Sequence, residues 1–228
     1  MPRDVGVVVV AAGRGSRFGG DLPKQYLPLR GIPVLLHALR PFTSHPDVAL
    51  VVLVLPSEDV VSPPEWLAPL LGGALVAVAG GSERGDSVVA GLGALSEACS
   101  VVLVHDGARP FPPRDAIDAG IAAARAGRSA VPAIPIGDTI KRADNYGRVL
   151  GTVPREGLWR VQTPQAFPRA TLTRAHDAAR LEGFTGSDDA CLVERLGEPV
   201  ELLPGSARNL KITTADDIAL AAWYAEHP

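Results

Sequence analysis

Residues Ala11 to Leu29 read AAGRGSRFGGDLPKQYLPL and follow directly on an apolar run, VGVVVV, from Val5 to Val10. Backbone N–H groups in a glycine-rich loop can form an anion-binding nest, and Arg17 and Lys24 bring two cations to the same segment. The chemistry served by such a loop is the holding of a small anion, a phosphate group above all. Spacing rules out two phosphate loops. A Walker A loop ends in Gly-Lys-Ser/Thr, and no such triplet is present. The dinucleotide fingerprint needs a third glycine where Phe18 stands, after Gly13-Arg14-Gly15-Ser16-Arg17.

Further reactive side chains lie downstream. The segment HDGARP supplies His105, Asp106 and Arg109 at the end of an apolar run. Asp106 in that place can reach a ribose or a Mg²⁺ ion, whereas His105 reads as a packed, hydrogen-bonded group rather than an acid or base. Asp188 and Asp189 open a helical segment, where carboxylates cap and complement the dipole rather than hold metal. Cys99 and Cys191 lie far apart and form neither a metal motif nor a disulfide framework, so each reads as a small buried side chain.

Composition bounds the partners. The chain has 228 residues, 46% of them hydrophobic and 21% charged, with a net charge of −3 and no basic run. That balance excludes a nucleic-acid surface or a polybasic membrane patch and leaves room for a small anionic ligand held by a few local cations. The apolar run near the N-terminus is too short to span a bilayer and has no basic stretch before it, so the expected location is the cytoplasm.

These residues need a scaffold. Valine-rich runs alternate with amphipathic segments, which predicts a parallel or mixed sheet covered on both faces. Strands are expected at Val5 to Val10, Val48 to Leu55, Ala74 to Gly80, Ser100 to Asp106, Ser129 to Ile136 and Pro199 to Gly205. Helices are expected at Pro33 to Phe42, Asp86 to Leu95, Ala116 to Gly127, Ala170 to Gly183 and Ser187 to Gly197. A last helix opens with Thr214 three residues before Asp217, the spacing of a capping box. With no repeats or linkers, residues 1–228 read as one domain.

One stretch breaks the alternation. Gly137 to Trp159, GDTIKRADNYGRVLGTVPREGLW, has two extended halves joined by DNYG and reads as a β-hairpin. It carries Lys141, Arg142, Arg148 and Arg155 and little apolar surface to bury on its own domain. Such a hairpin is either a mobile flap or an arm that packs on a second copy of the chain.

Taken in order, AAGxGxRxxxxxPKQ, GGSERGDSV, VHDGARP, DTIKR, TVPREGLW, QTPQAF, SDDA and NLKIT resemble the 2-C-methyl-D-erythritol 4-phosphate cytidylyltransferases of the non-mevalonate isoprenoid pathway. The resemblance runs along essentially the whole chain. It implies a three-layer α/β/α Rossmann-like nucleotidyltransferase fold with a mostly parallel mixed sheet. It also implies CMP transfer from CTP to methylerythritol phosphate with Mg²⁺, in a homodimer whose arms, residues 137–158, interlock.

The residue types suit that reaction. The acceptor is a phosphate monoester, largely dianionic at neutral pH because its second pKa is about 6, so no general base is needed for its attack on the α-phosphorus. The reaction needs cancelled repulsion between anions and stabilised charge on the phosphate oxygens, a task for Arg17 and Lys24. By resemblance, these two stabilise the transition state, while Arg155 and Lys211 hold the acceptor phosphate with Thr139 beside them. Ala11, Ala12, Gly13, Gly15, Gly81, Ser82, Ser87 and Asp106 are expected around the nucleotide, Ser82 standing where the family's pattern has aspartate. Any metal is held mainly through the CTP phosphates, with Asp106 as a candidate ligand. Arg109, Thr163 and Ser187 are carried over as substrate-binding positions.

Other readings share parts of this pattern. A ribitol 5-phosphate cytidylyltransferase differs mainly in the acceptor pocket. A sugar-transferring enzyme would show an Asp-x-Asp motif after a strand, which HDGARP is not. A non-catalytic nucleotide-binding protein predicts loss of at least one of Arg17, Lys24, Arg155 and Lys211, and all four are present.

Overall fold

The structure, a computed structural model, describes residues 3–13 and 22–227. The elements are β1 (Val5–Val10), β2 (Pro28–Leu29), β3 (Ile32–Pro33), α1 (Val34–Thr43), β4 (Val48–Leu55), α2 (Ser57–Val61), β5 (Leu75–Ala79), α3 (Arg84–Ala94), β6 (Val101–Asp106), α4 (Arg114–Arg125) and β7 (Ser129–Pro135). They continue with β8 (Ile140–Ala143), β9 (Val149–Val153), β10 (Trp159–Val161), β11 (Gln165–Pro168), α5 (Arg169–Glu182), α6 (Asp189–Arg195), β12 (Val200–Pro204) and α7 (Ala215–Glu226). The six expected strands and six expected helices are all present, with ends shifted by a few residues.

The valine runs are central strands. β1 pairs in parallel with β4 on one side and with β6 on the other, and β4 pairs in parallel with β5. Successive side chains on a strand point to opposite faces. Val5, Val7 and Val9 therefore pack against Leu35, Leu39 and Phe42 of α1 and Ile117 and Ile121 of α4. Val8 instead joins Val88 and Leu92 of α3 and Leu172 and Ala175 of α5 on the opposite face. A strand that buries both faces has no polar alternation, which is why these segments read as continuous apolar runs. The result is the three-layer α/β/α arrangement. A satellite core, Leu29, Val34, Ile212 and Ala221, docks α7 onto the first loop.

β11 lies between β6 and β7 and runs antiparallel to both. β10 pairs antiparallel with the end of β7, at Ala133 to Pro135, and β12 pairs with β7 in parallel. This antiparallel insertion is not apparent in the sequence pattern. Gln165 opens β11 yet is 1% exposed, because its Nε2 donates to Asp188 Oδ2 at 2.7 Å and its Oε1 accepts from the N–H groups of Asp189 and Ala190. A polar residue fully satisfied by distant partners looks like a loop residue to any periodicity argument.

β8 and β9 form a separate two-stranded antiparallel sheet, the expected hairpin. Its turn is organised by Asp144, whose Oδ1 accepts from the N–H groups of Tyr146 and Arg148, and by Gly147 at φ 78°. Tyr146, Val149 and Leu150 are exposed along it. Thr214 and Asp217 cap α7 reciprocally, as their spacing predicts.

Candidate active site

Three strand ends build a cleft. β1, β5 and β6 all finish at the carboxyl edge of the sheet, and Val10 pairs directly with Asp106. The chain moves outward from β1 through β4 to β5 and then returns to β1's other side as β6. The cleft thus opens at the switch in strand order, where open α/β sheets bind ligands. Its volume is about 440 Å³, and its walls include Ala11, Ala12, Gly13, Lys24, Gly81, Ser82, Ser87, Asp106 and Lys211. Those nine are all predicted site residues. Arg17 and Gly15 lie outside the described residues.

The wall under the first loop is fixed by Gln25, which is buried and donates from Nε2 to the carbonyls of Ala11 at 2.7 Å and Gly13 at 3.2 Å. That staple places the start of the 3₁₀ turn Lys24–Tyr26 beside the end of β1. Opposite it, Gly80 permits a close approach. A Cβ there would sit 2.5 Å from Ala12 Cβ and 2.7 Å from Ser87 Oγ. The N-cap of α3 is Glu83, directly after Gly80-Gly81-Ser82. Glu83 and Asp86 form the capping box of α3, and Ser82 Oγ donates to Asp86 Oδ2 at 2.8 Å.

Asp106 is the electrostatic centre. Lys211 Nζ lies 2.9 Å from its Oδ2, Arg109 Nε 3.6 Å from the same oxygen, and Arg84 Nε 3.6 Å from Oδ1. Burial favours the neutral acid, but the three cations, Lys211 foremost, outweigh it and hold the carboxyl well below the usual carboxylate range. Arg84 reaches further, donating from NH1 to Asp189 Oδ2 at 2.7 Å, while His176 Nε2 meets Asp189 Oδ1 at 3.0 Å. Burial works against the Arg84 charge, and Asp189 and Asp106 together reverse that and raise its pKa. Asp189 at 1% exposure is therefore an ion-pair partner, and Asp188 caps α6 by accepting from the Cys191 N–H.

His105 is fully buried behind Asp106, and burial pushes its pKa down to about 4. Its Nε2 lies 3.0 Å from the Arg109 carbonyl and its Nδ1 3.0 Å from Thr163 Oγ1. Thr163 Oγ1 also accepts the Asp106 N–H at 3.0 Å. Thr163 thus stands behind the cleft wall. Arg109 is 11% exposed, donates to the Asn209 carbonyl at 2.7 Å, and its pKa is lowered by burial against the pull of Asp106. Ser187 is exposed just before α6.

Arg109, Thr139, Arg155, Thr163 and Ser187 are predicted residues that do not line the cleft, and two of them stand on the hairpin. Thr139 and Arg155 are exposed at the base of the hairpin, where Arg155 NH1 donates to the Gly137 carbonyl. Neither lines the cleft of its own chain. Conversely, Arg84, Gln25, Glu83 and Thr213 line the cleft, and residue type alone does not single them out. Arg84 and Gln25 fall inside quoted motifs, SERGDS and PKQ. The sign of their importance, a partner at Asp189 or a backbone carbonyl, is visible only in three dimensions.

This fold and site define a nucleotidyltransferase of the open α/β type. Residues 5–227 match the family model IspD, 2-C-methyl-D-erythritol 4-phosphate cytidylyltransferase. Similar curated proteins of that name come from Geotalea uraniireducens, 44% identical over 95% of this chain and 94% of the relative, and Pelotomaculum thermopropionicum, 46% identical over 95% and 92%. The crystal structure of the cytidylyltransferase of that name from Thermus thermophilus superposes with a TM-score of 0.82 at 38% identity, covering 98% of this chain and 99% of that one. The chain belongs to the 2-C-methyl-D-erythritol 4-phosphate cytidylyltransferase family.

Proposed function

We propose that CTP lies in the cleft with its base against Ala11 to Gly13 and Gly81 to Ser87, its ribose near Asp106, and its triphosphate along Arg17 and Lys24. The reaction is transfer of CMP from CTP to methylerythritol 4-phosphate, giving the diphosphocytidyl alcohol and pyrophosphate in the non-mevalonate isoprenoid pathway. An acceptor phosphate oxygen attacks the α-phosphorus, the bond to the bridging oxygen breaks, and pyrophosphate leaves with the electron pair. No proton has to be moved, which agrees with a cleft whose nearest histidine is buried and depressed in pKa. Lys24 meets charge growing on the phosphate oxygens, and Lys211 receives the acceptor phosphate.

The observation that carries this reading is the convergence of Lys24 and Lys211, from opposite ends of the chain, on one cleft with Asp106 at its centre. A divalent cation fits the donor set. Among the described residues no three His, Cys, Asp or Glu side chains group as a metal cage. Mg²⁺ accepts one or two carboxylates plus substrate phosphates, and Asp106 is the carboxylate that would hold it here beside the CTP phosphates. When bound, the ion neutralises phosphate charge.

The arm completes the site in this reading. Thr139 and Arg155 stand away from their own cleft and the hairpin exposes Tyr146, Val149 and Leu150, so a second copy of the chain is proposed to receive them. No helix among the described residues is long and apolar enough to cross a membrane, in keeping with a proposed cytoplasmic location.

The test is pyrophosphate release with Mg²⁺, crossing CTP, UTP, ATP and GTP against methylerythritol 4-phosphate and ribitol 5-phosphate. Release with CTP and methylerythritol phosphate alone is expected. Preference for ribitol phosphate would move the acceptor assignment, and release with UTP would show that Ser82 has loosened the choice of base.

A further inference from the structure

His105 is fully buried beside the cleft, and the phosphoryl chemistry gives it nothing to do. Its two ring nitrogens are nevertheless both engaged. The Arg109 carbonyl can only accept, so Nε2 carries the hydrogen across that 3.0 Å contact. Thr163 Oγ1 already accepts the Asp106 N–H and has a single proton of its own. If Nδ1 also carried hydrogen, the Thr163 proton would be stranded in a site where the residue is 5% exposed. The arrangement that satisfies every group is therefore a neutral ring with hydrogen on Nε2, receiving the Thr163 hydroxyl at Nδ1.

We infer that His105 is a positioning residue for the nucleotide site, closing a hydrogen-bonded loop from Asp106 through Thr163 and the imidazole to Arg109. The loop clamps both ends of the turn that carries the cleft's central carboxylate, which also has the backbone bond from Arg109 N to Asp106 O at 3.0 Å. The Phe42 ring, centred 5.0 Å from the imidazole, holds the ring from α1. Asp106 then has its carboxylate aimed into the cleft at a fixed height before any ligand arrives, which spares the nucleotide that ordering cost. This role rests on the proposed placing of CTP, but not on which acceptor is used.

The test compares Thr163→Ser, Thr163→Val, His105→Gln and the double variant Thr163→Val/His105→Gln, by KM for CTP, KM for the acceptor and kcat. Thr163→Ser keeps the hydroxyl and is expected within about twofold of the parent. Thr163→Val and His105→Gln each are expected to raise KM for CTP about tenfold, a loss typical of one buried hydrogen bond, with KM for the acceptor unchanged. The double variant is expected to be no worse than the poorer single one, because both remove the same bond. Multiplying effects, or a KM for CTP that stays unchanged in both singles while only thermal stability falls, would overturn the inference. Nitrogen NMR of the labelled parent protein gives a reading independent of any variant: Nδ1 should show the pyridine-type shift and Nε2 the pyrrole-type shift. The reverse pattern would refute the loop. If no nucleotide binds at all while the NMR pattern holds, it is the CTP placing that fails.

Discussion

Lys211 and Asp106, far apart in sequence, form an ion pair of 2.9 Å at the mouth of the cleft, with the carboxylate 11% exposed and the lysine 40%. The pair joins the loop before α7 to the end of β6. It makes the carboxyl-edge surface one electrostatic unit. Lys211 is poised over the cleft by a partner that is itself shared with Arg84 and Arg109.

Acid should therefore weaken the fold through Asp106. Its folded pKa lies below the unfolded value of about 4, so its contribution is fully present above that pH and is lost as pH falls through the folded pKa. Asp106→Asn leaves three cations without their carboxylate and is expected to cost about 3 kcal/mol at neutral pH. Urea unfolding at neutral pH and below about pH 4 should show the variant losing less on acidification than the parent. Equal losses would exclude Asp106 from the acid response.

Lys24→Ala should fold normally and turn over about 100-fold more slowly, by analogy with removal of one donor from other charge-stabilising sites. Pyrophosphate release with saturating substrates measures this directly. A change confined to KM would make Lys24 a binding residue only.

Asp189→Ala is expected to cost about 3 kcal/mol, because the partly buried Arg84 would keep only its longer contact to Asp106 and the buried His176 would lose its partner. Chemical denaturation gives the number. Restored stability in Arg84→Met/Asp189→Leu would locate the cost in the orphaned charge rather than in packing.

Exchange between subunits tests the arm. Mixing an Arg155→Ala chain with a Lys24→Ala chain should restore part of the activity, since a hybrid dimer would hold one site with both residues intact. No recovery, once exchange has been verified by mass, would mean that each chain uses its own arm.

Gly80→Ala should narrow the nucleotide wall, since a Cβ there meets Ala12 Cβ at 2.5 Å and Ser87 Oγ at 2.7 Å. Overpacking of this kind costs about 1–3 kcal/mol and is expected to weaken CTP binding as Ala12 and Ser87 are pushed apart. Calorimetric titration with CTP is the measurement.

Much of this scaffold could be read from residue order alone, and the limits have physical causes. β1, β4 and β6 were legible because strands buried on both faces must be apolar throughout. The hairpin was legible because Asp144-Asn145-Tyr146-Gly147 is turn chemistry between extended halves. β10 and β11 were not, being short, with Gln165 and Pro168 in place of an apolar pattern. In the site, Lys24, Lys211, Asp106 and the glycine-rich wall followed from motifs. Arg84, whose carboxylate partner is 105 positions away, could be found only once α3 and α6 lay side by side.

The position of β11 has a consequence for synthesis. As the chain leaves the ribosome, β6 and β7 emerge first, yet they are not neighbours in the finished sheet. The place between them belongs to residues 165–168, and β7 has few native partners until that segment arrives. Thr163 travels on the same piece of chain and brings the hydroxyl that locks the Asp106 turn. The last insertion into the middle of the sheet and the setting of its central carboxylate are thus one event. A nascent chain stopped short of it carries β6 and β7 without the strand that joins them.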